Sequence, residues 1–324
     1  MRRVLLVPLT LTLGLTGCPG EEEEACVIIV KSTYPADGAT DAYYRAPIDF
    51  ELSNPDPFAV ITTDIPGTQS TGPDGKHIIF KPDAPLTPGA TYTASMAYCA
   101  GDVSTTFTVS DAGTPIPDPS ILVDQTYLFD LHSGRVPVPA GLGDVLIDNL
   151  SALILMGVRG VDGANMDILG AVSILGESGQ DYCAPTIPFD NADYAGAPDV
   201  AFGVASTTLV AAGVGVDVTD ISITGTFRPD GSAIEGMTFA GTIDTRPLAP
   251  LVDTGDGTEN AICELAENFS AACVACPSDG GVFCLEIEAD HITALAAPGV
   301  TVVEICEANA ADCEPGPPAD TCAG

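Results

Sequence analysis

The sequence predicts a mostly β protein in two units, an N-terminal β-sandwich and a second β-rich, disulfide-containing sandwich or barrel with one or two helices. Three observations carry this reading. The 34 glycines and 27 prolines stand as punctuation between short apolar runs, as turns between strands do. Apolar residues recur at every second position, as at Tyr92, Ala94, Met96 and Tyr98, which is the period of a half-buried strand. Cysteines number eleven, and setting Cys18 aside leaves an even ten.

In the first unit, residues 26–111, Ile48, Phe50 and Leu52 share one strand face after the turn Pro35-Ala36-Asp37-Gly38. Further strands are expected to end near Ile79, to begin at Thr91 and to close the unit at Ser104–Asp111. Residues 112–120 carry three prolines and read as a semi-rigid linker. The second unit, residues 121–312, starts with helical spacing at Leu146, Leu150 and Leu153 behind Asp144, followed by β-like runs at 166–177, 215–231 and 236–245. A one-residue slip in apolar spacing between Val218 and Ile221 predicts a bulge near Asp220. The uncharged run 200–216 is barely long enough to span a bilayer, which takes about 20 residues, and reads as two buried strands joined by a turn. Ile262, Leu265, Ala266 and Phe269 predict a helix behind Thr258; 284–295 and "VTVVEIC", residues 300–306, predict strands, and 313–324 form a tail.

The segments Pro35-Ala36-Asp37-Gly38-Ala39-Thr40, Phe80-Lys81-Pro82, Leu86-Thr87-Pro88-Gly89-Ala90-Thr91-Tyr92 and Thr106-Phe107-Thr108 resemble the bacterial Ig-like domain of the SbsA type. That resemblance implies an Ig-like β-sandwich serving as a spacer or adhesive module of cell-surface and S-layer proteins, without catalysis. The short Asp-rich turn usual before its last strand is replaced here by Tyr98-Cys99-Ala100-Gly101-Asp102. In such a sandwich the start of the first strand and the end of the penultimate one lie together, which implies a Cys26–Cys99 bridge. In the second unit, "SGQDYC", "GTFRPDG", "GTIDTRPL" and the C-x2-C pair look like a group of lipoproteins of predatory or social bacteria, a likeness that assigns no activity.

The chain begins with Arg2 and Arg3, continues through the apolar stretch Val4–Leu15 and reaches Leu15-Thr16-Gly17-Cys18. This is the order of an export signal over residues 1–17. Leu-Thr-Gly-Cys is similar to the lipobox of bacterial lipoproteins, which implies acylation of the Cys18 thiol and cleavage before it. Burial of acyl chains contributes about 0.8 kcal/mol per methylene, so two or three chains anchor a protein without a spanning helix. Residues 18–25, with Glu21–Glu24, then form an acidic spacer, and Pro19 after the cysteine points to an outer-membrane lipoprotein. Palmitate-type lipid on Cys18 is the expected modification.

Export places Cys26, Cys99, Cys183, Cys263, Cys273, Cys276, Cys284, Cys306, Cys313 and Cys322 in an oxidising compartment, where five bridges are expected. Cys273-Val-Ala-Cys276 with Cys263 and Cys284 has zinc-compatible spacing, but disulfides are favoured there, and the thioredoxin-like context for redox activity is lacking. Asp253, Asp256 and Glu259, and Asp162, Asn165 and Asp167, place oxygen ligands near turns outside the EF-hand register. His77, His132 and His291 sit in separate segments, and no hydrolase, zincin or phosphate-loop motif occurs. No catalytic residue, metal or cofactor is therefore assigned. Loss of Arg2 and Arg3 with the leader takes the formal charge of -35 to about -37, which repels nucleic acid. The expectation is a non-catalytic, lipid-anchored envelope protein in which the first unit presents the second to an envelope protein or polymer. A metal-assisted hydrolase needs a cleft with convergent histidines and carboxylates, and a small-ligand or lipid carrier needs an apolar cavity.

Overall fold

The first unit's alternation resolves into seven strands, β1 (Val30–Tyr34), β2 (Ile48–Leu52), β3 (Val60–Thr63), β4 (Gly67–Thr71), β5 (His77–Pro82), β6 (Thr91–Tyr98) and β7 (Gly101–Thr108). The computed structural model describes residues 26–139, 153–174, 177–211, 214–251, 258–269, 271–307 and 310. One sheet has the order β1-β2-β5-β4 and the other β3-β6-β7, the A-B-E-D over C-F-G arrangement of a constant-type Ig-like sandwich. Ile48, Phe50, Leu52, Ala94 and Met96 are fully buried between the sheets, as the period of two requires. Cys26 and Cys99 are joined in a disulfide with Cα atoms 5.7 Å apart.

The second unit is a barrel. Its strands are β8 (Thr126–Phe129), β9 (Arg135–Val138), β10 (Ile154–Asp162), β11 (Asn165–Val172), β12 (Ile187–Asp193), β13 (Asp199–Ala211), β14 (Val214–Phe227), β15 (Ala233–Asp244), β16 (Val274–Ala275) and β17 (Val282–Ala296). Following hydrogen-bonded neighbours from β8 through β10, β11, β12, β13, β14, β15 and β17 returns to β8, so eight antiparallel strands close on themselves. Closure removes the edges that an open sheet leaves unpaired. The interior is packed: Phe189 meets Phe202 edge-on at 5.0 Å, and Phe227 meets Tyr127 at 5.5 Å and Tyr194 at 6.0 Å. The run 200–216 falls on β13 and the start of β14, two paired strands. The register of β14 on β15 shifts between Thr219 and Ser222, and Asp220 has φ +54°, so the expected bulge is present.

A short helix among the described residues, α1 (Ala261–Glu267), buries Ile262 and Ala266, while Phe269 lies beyond its end and is partly exposed. The strand expected at "VTVVEIC" is corrected: 301–306 join no sheet. Their backbone groups are taken by the Gln180 side chain at Val303 and by Thr186 at Ile305, which replaces a ladder with side-chain bonds. Between the units, Ala112 packs into the sandwich core and Ile116 into the barrel core, so residues expected to form a linker are part of both. The helix expected around Leu146 and Leu150 falls outside the described residues, as do the expected lipidation site Cys18, the acidic turn at Asp253 and Asp256, and Cys313 and Cys322. Among the described residues no helix is long and apolar enough to cross a membrane.

The bridge Cys26–Cys99 closes a sequence separation of 73 residues. Replacing both cysteines by alanine is expected to lower the sandwich's unfolding free energy by about 4 kcal/mol on the chain-entropy account. Denaturant titration checks it, and an unchanged midpoint contradicts that account.

Candidate functional site

Two features stand out once the barrel is closed: how the sandwich is docked on it, and where its wall parts. Docking is built on buried charge. Asp49 on β2 is 4% exposed, and its Oδ2 meets the Arg135 guanidinium at 2.7 Å and His77 Nδ1 at 2.9 Å. Arg135, on β9, also donates to both oxygens of Asp290 on β17, at 2.7 and 3.1 Å. One cation thus bridges a carboxylate from each unit. Beside it Tyr34 stacks on His291, ring centroids 3.8 Å apart and nearly parallel.

A second node joins Ser110, at the end of the sandwich, to Glu235 on β15, which Arg228 also clasps. Glu235 is 1% exposed. Burial pushes its carboxyl up, against the pull of the Ser110 hydroxyl and the Arg228 guanidinium. At a third node Asp199 Oδ1 accepts from Thr226 Oγ1 at 2.6 Å and from the Tyr44 hydroxyl at 3.3 Å, and Arg45 meets its Oδ2 at 3.0 Å. The Tyr43 hydroxyl lies 2.9 Å from the same Thr226 oxygen. Gly236 has φ +57°, and a Cβ there would overlap the Tyr43 ring, so glycine is required both for the backbone and for the approach.

The barrel wall parts between β12 and β13, which share a single residue pair, Asp193↔Ala201. Beyond it the strands diverge around a cleft of about 790 Å³. Ile187 and Pro188 line one side, Val204, Ser206 and Thr208 the other. Pro198 accepts from Phe227 N–H, so the alternation of an antiparallel ladder directs the N–H and C=O of Gly203, Ala205 and Thr207 away from β14 and toward the parting. Among the described residues no strand pairs with that edge. The rim is acidic, with Asp217, Glu304 and Glu307, while Asp244 is held by Arg246. Thr208 donates to Asp217 at 2.7 Å.

The remaining sequence candidates fall as follows. Cys263 is bonded to Cys273 and Cys276 to Cys284, and Cys183 and Cys306 are also oxidised. Asp244, Cys276 and Cys284 offer donors within 4.8 Å of one another, but the disulfide takes two of the three. Asp167 pairs with Arg159 across the β10–β11 hairpin. Asp49, Arg135, Glu235 and Asp290 were not singled out from sequence. The available signal was the scarcity of cations: only 10 lysines and arginines face 45 acids, so each arginine is a strong candidate for a structural partner.

Arg135→Ala leaves buried Asp49 with His77 alone and half-buried Asp290 without its guanidinium, and is expected to cost about 3 kcal/mol in denaturant-monitored stability. A change of a few tenths would show that the bridge is not what holds the units together. Burial pushes the His291 imidazole down to about 4, while Asp290 pulls the other way and Arg135 adds to the fall. Below about 6.5 the unfolded chain takes up a proton that the native state refuses, so this residue removes about 3 kcal/mol of stability as pH drops from 6.5 to 4. Glu235 titrates with the opposite slope, so the readout is the difference between the parent and His291→Asn. That difference should shrink steadily toward pH 4, and parallel curves contradict it.

No known protein family matches the chain, and no curated protein does. Among solved structures, the S-layer protein rSbsC(31-844) is matched at 9% identity with a TM-score of 0.18, over 86% of this chain and 54% of that one. The chain thus spans about half of that structure, and a likeness this slight carries no argument.

Proposed function

We propose that the protein is a lipid-anchored component of the cell envelope, without catalytic role, in which the Ig-like sandwich of the SbsA type holds the barrel in a fixed orientation and presents its parted wall to an extended segment of an envelope protein. The observation that carries this reading is the edge of β13 beyond Ala201, where no strand of the described residues pairs and where Val204, Ser206, Thr207 and Thr208 line the cleft. Exposed strand edges recruit further strands, and recognition by strand addition takes its affinity from main-chain hydrogen bonds and its selectivity from neighbouring side chains. The acidic rim favours a basic segment. His77 and His291 are engaged at the docking interface, which supports binding over hydrolysis. The packed aromatic interior supports a cleft binder over an internal carrier.

Two measurements test the reading. Mass spectrometry of membrane fractions should find acyl chains on Cys18, and Cys18→Ala should prevent that modification; an unacylated Cys18 in the mature chain removes the anchor. Hydrogen exchange should show the amides of Gly203, Ala205 and Thr207 exchanging quickly in the purified protein and slowing when isolated envelope membranes are added. Unchanged exchange there contradicts strand addition.

A further inference from the structure

The end of the sandwich remote from the barrel carries four exposed apolar side chains: Val27 at 79%, Ile29 at 62%, Phe58 at 85% and Val60 at 53%. They belong to one constructed tip. The buried carboxylate of Asp56 accepts the Phe58 N–H at 2.9 Å through one oxygen and the Cys99 N–H at 2.8 Å through the other. Cys99 is bonded to Cys26, next to Val27. Ser53 exchanges two hydrogen bonds with the Ile29 backbone, at 2.9 and 3.1 Å. Single exposed apolar residues are ordinary, but four at one end of the sandwich, on the segment before β1, the β2–β3 loop and the start of β3, all fastened by these bonds, offer an apolar end of the kind that meets a partner.

Where the chain leaves this tip identifies the partner. β1 runs from the tip to the barrel, ending at Tyr34 on His291; β7 likewise runs from the tip toward Ser110, which bonds Glu235. The order along the molecule is therefore tip, sandwich, barrel. Cys18 stands eight positions before Cys26, a reach of at most about 27 Å when fully extended. A lipid on Cys18 keeps this apolar end, and not the barrel, within reach of the bilayer.

We propose that Val27, Ile29, Phe58 and Val60 form a membrane-docking tip that enters the interfacial layer of the bilayer holding the Cys18 lipid, preferring zwitterionic headgroups. The proposal rests on the lipid-anchor reading. The formal charge of -35, about -37 once Arg2 and Arg3 leave with the leader, opposes anionic lipid, so attraction comes from apolar burial. Tip and covalent chains act together: the chains hold the protein at high local concentration, and the tip sets its angle.

The chain contains no tryptophan, so Phe58→Trp introduces a unique fluorophore at an exposed position that leaves the core untouched. The acylated variant is reconstituted in phosphatidylcholine vesicles, with Val282→Trp, an exposed site on the barrel, as reference. Expected are a blue shift and loss of emission for Phe58→Trp when the lipids are brominated near the headgroup, and neither for Val282→Trp. Acyl mass on Cys18 with unquenched emission from Phe58→Trp overturns the tip while the anchor stands. An unacylated Cys18 with quenched Phe58→Trp in added vesicles overturns the anchor and retains the tip. A blue shift that follows protein concentration and ignores bromination assigns the patch to a second copy and also overturns the proposal.

Discussion

The arrangement depends on one half-buried cation. Arg135 sits between Asp49 of the sandwich and Asp290 of the barrel, and its planar fork satisfies both oxygens of one carboxylate while reaching the other. Desolvating three charges is expensive, and a well-packed apolar contact would hold two domains as firmly. What the charge triad adds is direction: a guanidinium donates to carboxylates in its own plane, whereas an apolar patch tolerates rotation. The same restriction recurs at Glu235 with Arg228 and Ser110, and at Asp199 with Arg45, Tyr44 and Thr226. Three directional nodes fix the orientation of one domain on the other, which an intervening chain of prolines alone could not do.

Within the barrel, closure and opening follow from the same hydrogen-bond accounting. Among the described residues, pairing runs round the barrel, with β9 and β16 covering the edge of β17 that the short β8 does not reach, and it is thinnest where β12 leaves β13 after a single residue pair. Pro188 lacks an N–H and lies on the diverging part of β12, where a missing donor costs least because no partner is reached. β13 and β14 continue past the parting as a long hairpin, bent by the bulge at Asp220. The wall therefore opens at one seam and keeps full pairing across β13–β14, so the cleft is an edge made by construction.

The sequence revealed the parts of this structure that repeat locally. Period-two alternation at Tyr92, Ala94, Met96 and Tyr98 became β6, the broken period at Val218 and Ile221 became the bulge, and helical spacing at Ile262 and Ala266 became α1. Barrel closure was not legible, because it turns on β8, four residues whose importance lies in bridging β17 to β10. The run 300–306 has strand composition, yet its backbone is satisfied by Gln180 and Thr186, side chains more than a hundred residues away. The docking charges were hidden for the same reason. Asp49 stands between Ile48 and Phe50 and reads as the solvent-facing member of an alternating strand until Arg135 and Asp290, 86 and 155 residues apart from their partners, are brought to it.

On the proposed lipid anchor, a fixed orientation matters because the protein would be tethered at one end. An acidic chain is pushed from anionic lipid, so a flexible tether would leave the barrel free to adopt any attitude above the membrane. Under the docking-tip proposal, the apolar residues define one contact plane, the sandwich transmits it through strands that run directly to the interface, and the charge triad passes it to the barrel. The parting between β12 and β13 then presents one direction to the surrounding envelope. On that proposal, loss of direction at any of these three points would leave each domain folded and the lipid attachment intact, yet scatter the cleft over all orientations, so rigidity of the Arg135 interface would act as part of the proposed binding surface.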